Sequence, residues 1–106
     1  MIFKKTTVSG DDIIVELEGS LSGDESAAEL QQILDELEQS GQNHIILNFL
    51  KVPAINSSNL GKLFLFFNKV KNTGRSLKIR GCSEALYKTF QLIEMENHIP
   101  YEREAG

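Results

Sequence analysis

Two stretches near the start of the chain, residues 2–8 and 12–18, have the apolar and polar pattern of β-strands. In the second stretch, every other position from Ile13 to Leu17 is apolar, as in a strand with one buried face. Residues 9–11, Ser-Gly-Asp, are frequent turn formers. The pattern therefore predicts a β-hairpin.

Helical spacing follows in residues 24–39, where apolar side chains recur every three or four positions. Ser22 and Glu25 stand three positions apart at the start of this helix, which is the spacing of a capping box. Residues 57–72 predict a second helix that ends at Gly74. At about 100° per residue, one face of this helix carries the predicted core residues Leu60, Leu63, Phe64, Phe67 and Val70.

The remaining segments predict further strands and a third helix. Residues 44–50 are mostly apolar and indicate a buried strand, residues 75–80 a second one, and residues 99–101 a last short strand or turn. Ser83 caps a helix that is predicted to run to Glu94. This order, ββαβαβα, predicts an α/β fold in which helices pack on an at least partly parallel sheet.

Length and composition favour one globular domain that spans residues 1–106. The longest apolar-rich run, residues 60–70, contains two lysines and is far shorter than the roughly 20 residues of a membrane span. With no signal-peptide pattern and a single cysteine, a cytoplasmic protein that does not insert into membranes is expected. The net charge of −4 argues against direct binding of nucleic acid.

Charge is strongly segregated along the chain. Residues 6–50 contain ten acidic residues and no Lys or Arg, whereas residues 51–83 contain seven basic residues and no Asp or Glu. This distribution predicts a molecule with an acidic side and a basic side, which can orient a charged partner.

Residues that would support catalysis or cofactor binding are missing. His44, His98 and Cys82 lie in unrelated segments without metal-ligand spacing. Ser57 lacks the flanking glycines of a nucleophile elbow. Residues 56–63 depart from a phosphate-binding loop, because Asn56 and Leu63 replace its first glycine and its Ser or Thr. We therefore expect no enzyme activity, no metal and no cofactor.

The second predicted helix carries an unusual outward face. Ser58, Lys62, Leu65 and Lys69 point away from the predicted core, and Phe66 lies at the flank of that face. Capping alone explains Asn56 and Ser57, since both are good N-cap residues. Exposed apolar groups beside reachable serines nevertheless indicate a docking patch. A phosphate on Ser57 would meet the positive end of the helix dipole.

Residues 45–95 resemble the central half of STAS domains, which occur in bacterial anti-sigma-factor antagonists and in the cytoplasmic tails of sulfate transporters. The family pattern is an apolar strand, a short turn and then D-S-S-G-L-G at the start of a helix; here the last part reads N-S-S-N-L-G, residues 56–61. The upstream hairpin and residues 17–21 also fit, so the resemblance covers nearly the whole chain.

The resemblance implies a mixed β-sheet of four to five strands with about three to four helices packed mainly on one face. It also implies a partner switch: the unphosphorylated protein binds an anti-sigma factor that is also a serine kinase, phosphorylation at Ser57 releases it, and a serine phosphatase resets it. The expected contact residues beside Ser57 are Asn56, Ser58, Asn59, Lys62, Leu65, Phe66 and Lys69.

Two departures from the family pattern keep alternatives open. Asn56 stands where the family usually has Asp, and Asn59 where it usually has Gly. These changes favour a second hypothesis, a STAS scaffold or subunit of a signalling or lipid-transport complex that is not phosphorylated. A small nucleotide-binding domain is a third hypothesis, which rests only on the anion-binding start of the second helix.

Overall fold

A computed structural model describes residues 2–92 and the backbone of residues 101–102. The elements in this part are β1 (Phe3–Ser9), β2 (Asp12–Glu18), α1 (Ser26–Gln39), β3 (His44–Lys51), α2 (Ser57–Asn72), β4 (Ser76–Cys82), α3 (Glu84–Leu92) and β5 (Tyr101–Glu102). The predicted element order is confirmed, and β2 and α2 have the predicted bounds. The predicted end of the third helix at Glu94 and residues 99–100 lie outside the described residues.

The strands form one mixed sheet in the order β1-β2-β3-β4-β5. β1 and β2 pair antiparallel as the predicted hairpin, whereas the pairs β2–β3, β3–β4 and β4–β5 are parallel. Parallel crossovers are almost always right-handed, so three that advance in one direction across a sheet place their helices on the same face. The predicted α/β fold, with helices on one face of a mixed sheet, is confirmed.

The core lies between that face of the sheet and the helices. Ile13, Val15 and Leu17 of β2 are buried there, while the intervening positions from Asp12 to Glu16 are partly exposed on the other face. α1 and α2 contribute a second set of buried side chains to the same cluster, which are Leu30, Ile33, Leu34, Leu37, Leu60, Leu63, Phe66 and Val70.

The predicted capping box at the start of α1 is wrong. The helix begins at Ser26, and the Glu25 side chain makes no capping hydrogen bond. The Ser22 hydroxyl instead pairs with the Ser20 hydroxyl at 2.6 Å, and the Ser26 hydroxyl donates to the Gly23 carbonyl. The spacing of Ser22 and Glu25 failed as a signal because residues 23–25 form a turn of their own before the helix.

The C-terminal end of α1 is held by an arginine from the other half of the chain. The Arg75 guanidinium donates to the carbonyls of Leu37, Glu38 and Gln42 and to the Ser40 hydroxyl. A cation at this end also meets the negative pole of the helix dipole. Arg75 thus connects the last turn of α1 to the residues that enter β4.

The acidic and basic segments of the chain meet where neighbouring elements pack, and an acidic side and a basic side of the molecule remain a prediction. Glu16 of β2 pairs with Lys51 of β3 at 3.2 Å, and Glu38 of α1 lies 3.9 Å from Lys69 of α2. Both pairs join elements that are spatial neighbours, because β2 pairs with β3 in the sheet and α1 packs beside α2.

Gly81 is a position where the fold requires glycine. Its φ of +76° is in the left-handed region, and a Cβ there would lie 3.0 Å from Leu50 Cγ and 3.2 Å from Asn48 Oδ1. Gly81→Ala is therefore expected to lower the free energy of unfolding by about 2 kcal/mol, as measured by urea denaturation.

Gly61 provides the matched control. It is exposed within α2, and a Cβ there would have no atom within 4 Å. Gly61→Ala is expected to stabilise the protein by about 0.5–1 kcal/mol, because alanine loses less conformational entropy in a helix. Equal effects of the two substitutions would contradict this account of Gly81.

Candidate partner-binding site at the start of helix α2

The connection from β3 to α2 is fixed on both sides by neighbouring connections. On one side, Leu21 N donates to the Ala54 carbonyl at 2.8 Å, and Leu21 and Ile55 form an isolated parallel bridge. On the other side, the Ser83 hydroxyl donates to the Val52 carbonyl at 2.7 Å. Since the carboxyl ends of parallel strands meet at one sheet edge, these contacts hold the start of α2 in a defined place there.

Asn56 is the N-cap of α2. Its Oδ1 accepts a hydrogen bond from Asn59 N at 2.9 Å, and its Nδ2 donates to the Ser22 carbonyl at 3.0 Å. Its backbone N–H donates to the Leu21 carbonyl at 3.1 Å. The side chain therefore caps the helix and also binds the β2–α1 loop, residues 19–25. Asparagine does both because it carries an acceptor and two donors, whereas an ionised aspartate only accepts.

Ser57 and Ser58 occupy the first turn of α2, and both are exposed to solvent. The first N–H groups of a helix have no acceptor within it. Asn56 satisfies the N–H of Asn59, which leaves those of Ser57 and Ser58 without an intrahelical acceptor. A reachable hydroxyl, unpaired N–H groups and the positive end of the dipole therefore coincide at Ser57.

Asn59 does not belong to the exposed surface, contrary to the prediction that a partner would approach it. The residue is 0% exposed. Its Nδ2 donates to the Leu21 carbonyl at 2.6 Å and to Ser26 Oγ at 2.9 Å. Its Oδ1 is buried without a hydrogen-bond partner among the described residues. Asn59 thus joins the start of α2 to the β2–α1 loop and to the first residue of α1.

Phe66 is also buried, at 4% exposure, so its prediction as an outward-facing contact is wrong. α2 packs against both the sheet and α1, so its buried side is turned towards α1 and includes Phe66. Phe64 and Phe67, which were predicted as core, are only half-buried. The helical period was right, but the direction of the buried face depends on which element lies beside the helix.

The other predicted contact residues lie on the solvent side of α2. Leu65 is 66% exposed, and Lys69 is exposed as well. Lys62 is half-buried, and its Nζ donates to Gln31 Oε1 of α1 at 3.3 Å. The structure therefore brings Ser57, Ser58, Lys62, Leu65 and Lys69 to the accessible side of one helix.

The sequence reasoning missed the part that the β2–α1 loop plays at this site. Leu21, Ser22 and Ser26 contact Asn56 and Asn59 across 33–38 positions of sequence. The pattern of residues 19–23 indicated only a loop. No local signal pairs that loop with α2, because the pairing follows from the parallel alignment of β2 and β3.

Residues 57–63 are helical and do not form a phosphate-binding loop, as their sequence already indicated. The hypothesis of a small nucleotide-binding domain rests on the start of α2 alone and stays a prediction. Within residues 2–92, no group of three or more His, Cys, Asp or Glu side chains is placed to hold a metal ion. In the same range, none of the helices has the length and apolar character of a membrane span.

Comparison with protein families decides the classification. The model of the STAS domain matches residues 4–105, which is nearly the whole chain. The chain belongs to the STAS domain family. The N-S-S-N-L-G segment of this STAS domain lies at the cap and first turn of α2.

Several solved structures resemble the chain in fold. An anti-sigma factor antagonist from Mycobacterium paratuberculosis is 13% identical with a TM-score of 0.85, over 98% of this chain and 87% of that one. The phosphorylated form of the Bacillus cell fate determinant SpoIIAA is 16% identical with a TM-score of 0.68, over 96% of this chain and 93% of that one. A sulfate transporter family protein from Wolinella succinogenes is 22% identical with a TM-score of 0.70, over 92% of this chain and 81% of that one.

At these identities the neighbours establish the fold and leave the individual activity open. No curated protein sequence matches the chain closely enough to add a relative. The function of this STAS domain therefore has to be argued from its own surface.

Proposed function

We propose that this STAS domain is a partner switch of the anti-sigma-factor-antagonist kind, which acts by binding and not by catalysis. In its unphosphorylated form it binds an anti-sigma factor that is also a serine kinase. Phosphorylation at Ser57 releases it, and a serine phosphatase restores the binding form. The observation that carries the proposal is the exposed Ser57 in the first turn of α2. The proposal implies a cytoplasmic location.

The start of α2 can accept a phosphate without losing its structure. A phosphoserine adds between about −1.5 and −2 of charge at pH 7. At a helix N-terminus this charge meets free N–H groups and the positive end of the dipole, which is a favourable environment. The Asn56 cap and the Asn59 contacts lie on the other side of the helix start, so they can stay in place.

The same charge would act against a bound partner. On α2, the accessible residues beside Ser57 are Ser58, Lys62, Leu65 and Lys69, which are polar, basic and apolar, and the helix itself contains no acidic residue. A partner that fits this surface has apolar and acidic groups. Burying a phosphate against acidic groups is costly, both through repulsion and through lost hydration.

Phosphate transfer is the test of this proposal. The purified protein is incubated with radiolabelled ATP and lysate of its native cell, and the modified residue is mapped by mass spectrometry. We expect label on the wild type and on Ser58→Ala, and none on Ser57→Ala. Ser58→Ala is a matched control, because Ser58 is the adjacent exposed serine. Label on Ser58, or label that survives Ser57→Ala, would refute Ser57 as the acceptor.

A second function has a specific observation in its favour. Asn56 replaces the carboxylate that the family usually has beside the acceptor, and its amide caps α2 and binds the Ser22 carbonyl. No carboxylate therefore stands there to orient the Ser57 hydroxyl. A scaffold or subunit of a signalling or lipid-transport complex, which binds without phosphorylation, is the alternative. It predicts partner binding that Ser57→Asp leaves unchanged.

A further inference from the structure

Helices α1 and α2 enclose a groove with a volume of about 290 Å³. Its floor is apolar, because Leu34 and Phe66 lie there with exposures of 2% and 4%. Leu65 lies at its α2 edge and is 66% exposed, whereas the other apolar side chains of α2 are buried or half-buried. Covering this apolar floor and the exposed leucine beside it would remove apolar surface from water, which is favourable.

The two walls of the groove carry opposite charges. Asp35 and Glu38 line it on α1, and Lys62 and Lys69 line it on α2. α1 contains no basic residue and α2 no acidic one, so the division extends along both helices. The pair that crosses the groove, Glu38 and Lys69, is long at 3.9 Å and 47% and 61% exposed. Such a pair contributes little to stability, so both charges remain available to a bound molecule.

We infer that this groove binds a second copy of the chain. A two-fold axis that runs along the groove would place α1 of each copy over α2 of the other. The acidic wall of each copy would then face the basic wall of the other at both ends of the contact. A two-fold axis across the groove would oppose like charges and is excluded on that ground. A surface with both charge signs and an apolar centre is thus complementary to itself.

Leu65 is the residue on which this dimer depends most. In the two-fold arrangement, Leu65 of each copy covers the apolar floor formed by Leu34 and Phe66 of the other. The charged residues of the two walls set the orientation of the two copies and make the dimer sensitive to salt, but they contribute less to its affinity. The dimer is therefore expected to depend on protein concentration and to weaken as salt is raised.

The inference does not rest on the proposed function, although the two surfaces share residues. Lys62, Leu65 and Lys69 belong to both, whereas Ser57 does not line the groove. A dimer and a partner complex would therefore exclude each other along α2. The acceptor hydroxyl would remain accessible in the dimer.

Sedimentation velocity of the full chain tests the inference, from about 5 μM to about 500 μM protein in low salt. The wild type is expected to shift from monomer to dimer over this range. Leu65→Asp is expected to raise the dissociation constant at least tenfold. Val8→Asp is the matched control, because Val8 is 55% exposed on β1, away from the groove, and it should dimerise like the wild type.

Charge reversal tests the orientation. Glu38→Lys and Lys69→Glu are each expected to weaken the dimer about tenfold, and the double variant is expected to recover it to within about threefold. All of these positions are exposed, so thermal unfolding followed by circular dichroism should match the wild type. A monomer at every concentration would overturn the inference, as would a dimer that Leu65→Asp does not weaken.

Discussion

Asn59→Asp is expected to lower the free energy of unfolding by about 3 kcal/mol or more at pH 7. Asn59 is 0% exposed, and its Nδ2 donates to the Leu21 carbonyl and to Ser26 Oγ. A carboxylate at this position loses both donors and places a negative charge against the Leu21 carbonyl oxygen. Because the start of α2 and the β2–α1 loop are joined here, both would loosen together.

The loss of stability in Asn59→Asp should depend on pH. Burial disfavours the charged form and raises the pKa of the introduced carboxyl above its unfolded value of about 3.9. The full penalty is therefore present above the raised pKa, and it shrinks as the pH falls towards 4 because the folded protein takes up a proton. Urea denaturation of wild type and variant at pH 7 and at lower pH measures this difference.

Asn59→Leu separates the effect of charge from the effect of lost hydrogen bonds. Leucine has a similar volume and removes both donors, but it also removes the Oδ1 atom that lacks a partner among the described residues. We expect a loss of only about 1–2 kcal/mol that does not change with pH. If Asn59→Asp and Asn59→Leu were equally stable at pH 7, Asn59 could not be buried as described.

In contrast to Asn59→Asp, Ser57→Asp is expected to retain the fold and to lose partner binding. A negative charge in the first turn of α2 interacts favourably with the positive end of the helix dipole, so the free energy of unfolding should rise by about 0.3–1 kcal/mol. At a partner surface, the same charge is expected to weaken binding about 100-fold, which corresponds to about 2.7 kcal/mol. Stability and binding therefore move in opposite directions.

The measurement pairs thermal unfolding with binding. Wild type and variant are used to capture partners from native lysate, and the captured protein is then purified and titrated against both. Gln32→Glu is the control, since Gln32 is exposed on α1 and gains the same charge away from the start of α2. Its affinity should equal that of the wild type. A Ser57→Asp variant that binds normally would favour the scaffold function.

The bounds of α2 could be predicted from sequence because its ends carry strong local signals. Asn56 is a good N-cap, Pro53 stands in the connection before it, and Gly74 follows the last turn with a φ of +80°. Each of these residues acts through its own backbone geometry or a bond to a near neighbour. Such effects do not require knowledge of what the helix packs against.

The buried side of α2 could not be predicted in the same way. The sequence offers apolar residues over more than half of the helix circumference, from Leu60 to Val70. The choice between Phe66 and its neighbours Phe64 and Phe67 depends on α1, which lies beside α2 in space. Periodicity locates an apolar face, but the packing partner decides how far that face is rotated.

Asn59 could not be predicted as buried because its hydrogen-bond partners are distant in sequence. A polar side chain is normally placed on the surface unless its donors and acceptors can be satisfied. Leu21 and Ser26 satisfy its donors from 38 and 33 positions away. That contact depends on the parallel pairing of β2 and β3, about which the residues around Asn59 carry no information.

The central claim is that the hydroxyl of Ser57 controls whether another protein can bind to α2. It is tested most directly by titrating the purified partner against the chain in three states: unmodified, phosphorylated at Ser57, and phosphorylated and then treated with a phosphatase. We predict that the unmodified chain binds tightly, that phosphorylation at Ser57 weakens binding about 100-fold, and that phosphatase treatment restores it fully. Equal dissociation constants for all three states would contradict the claim.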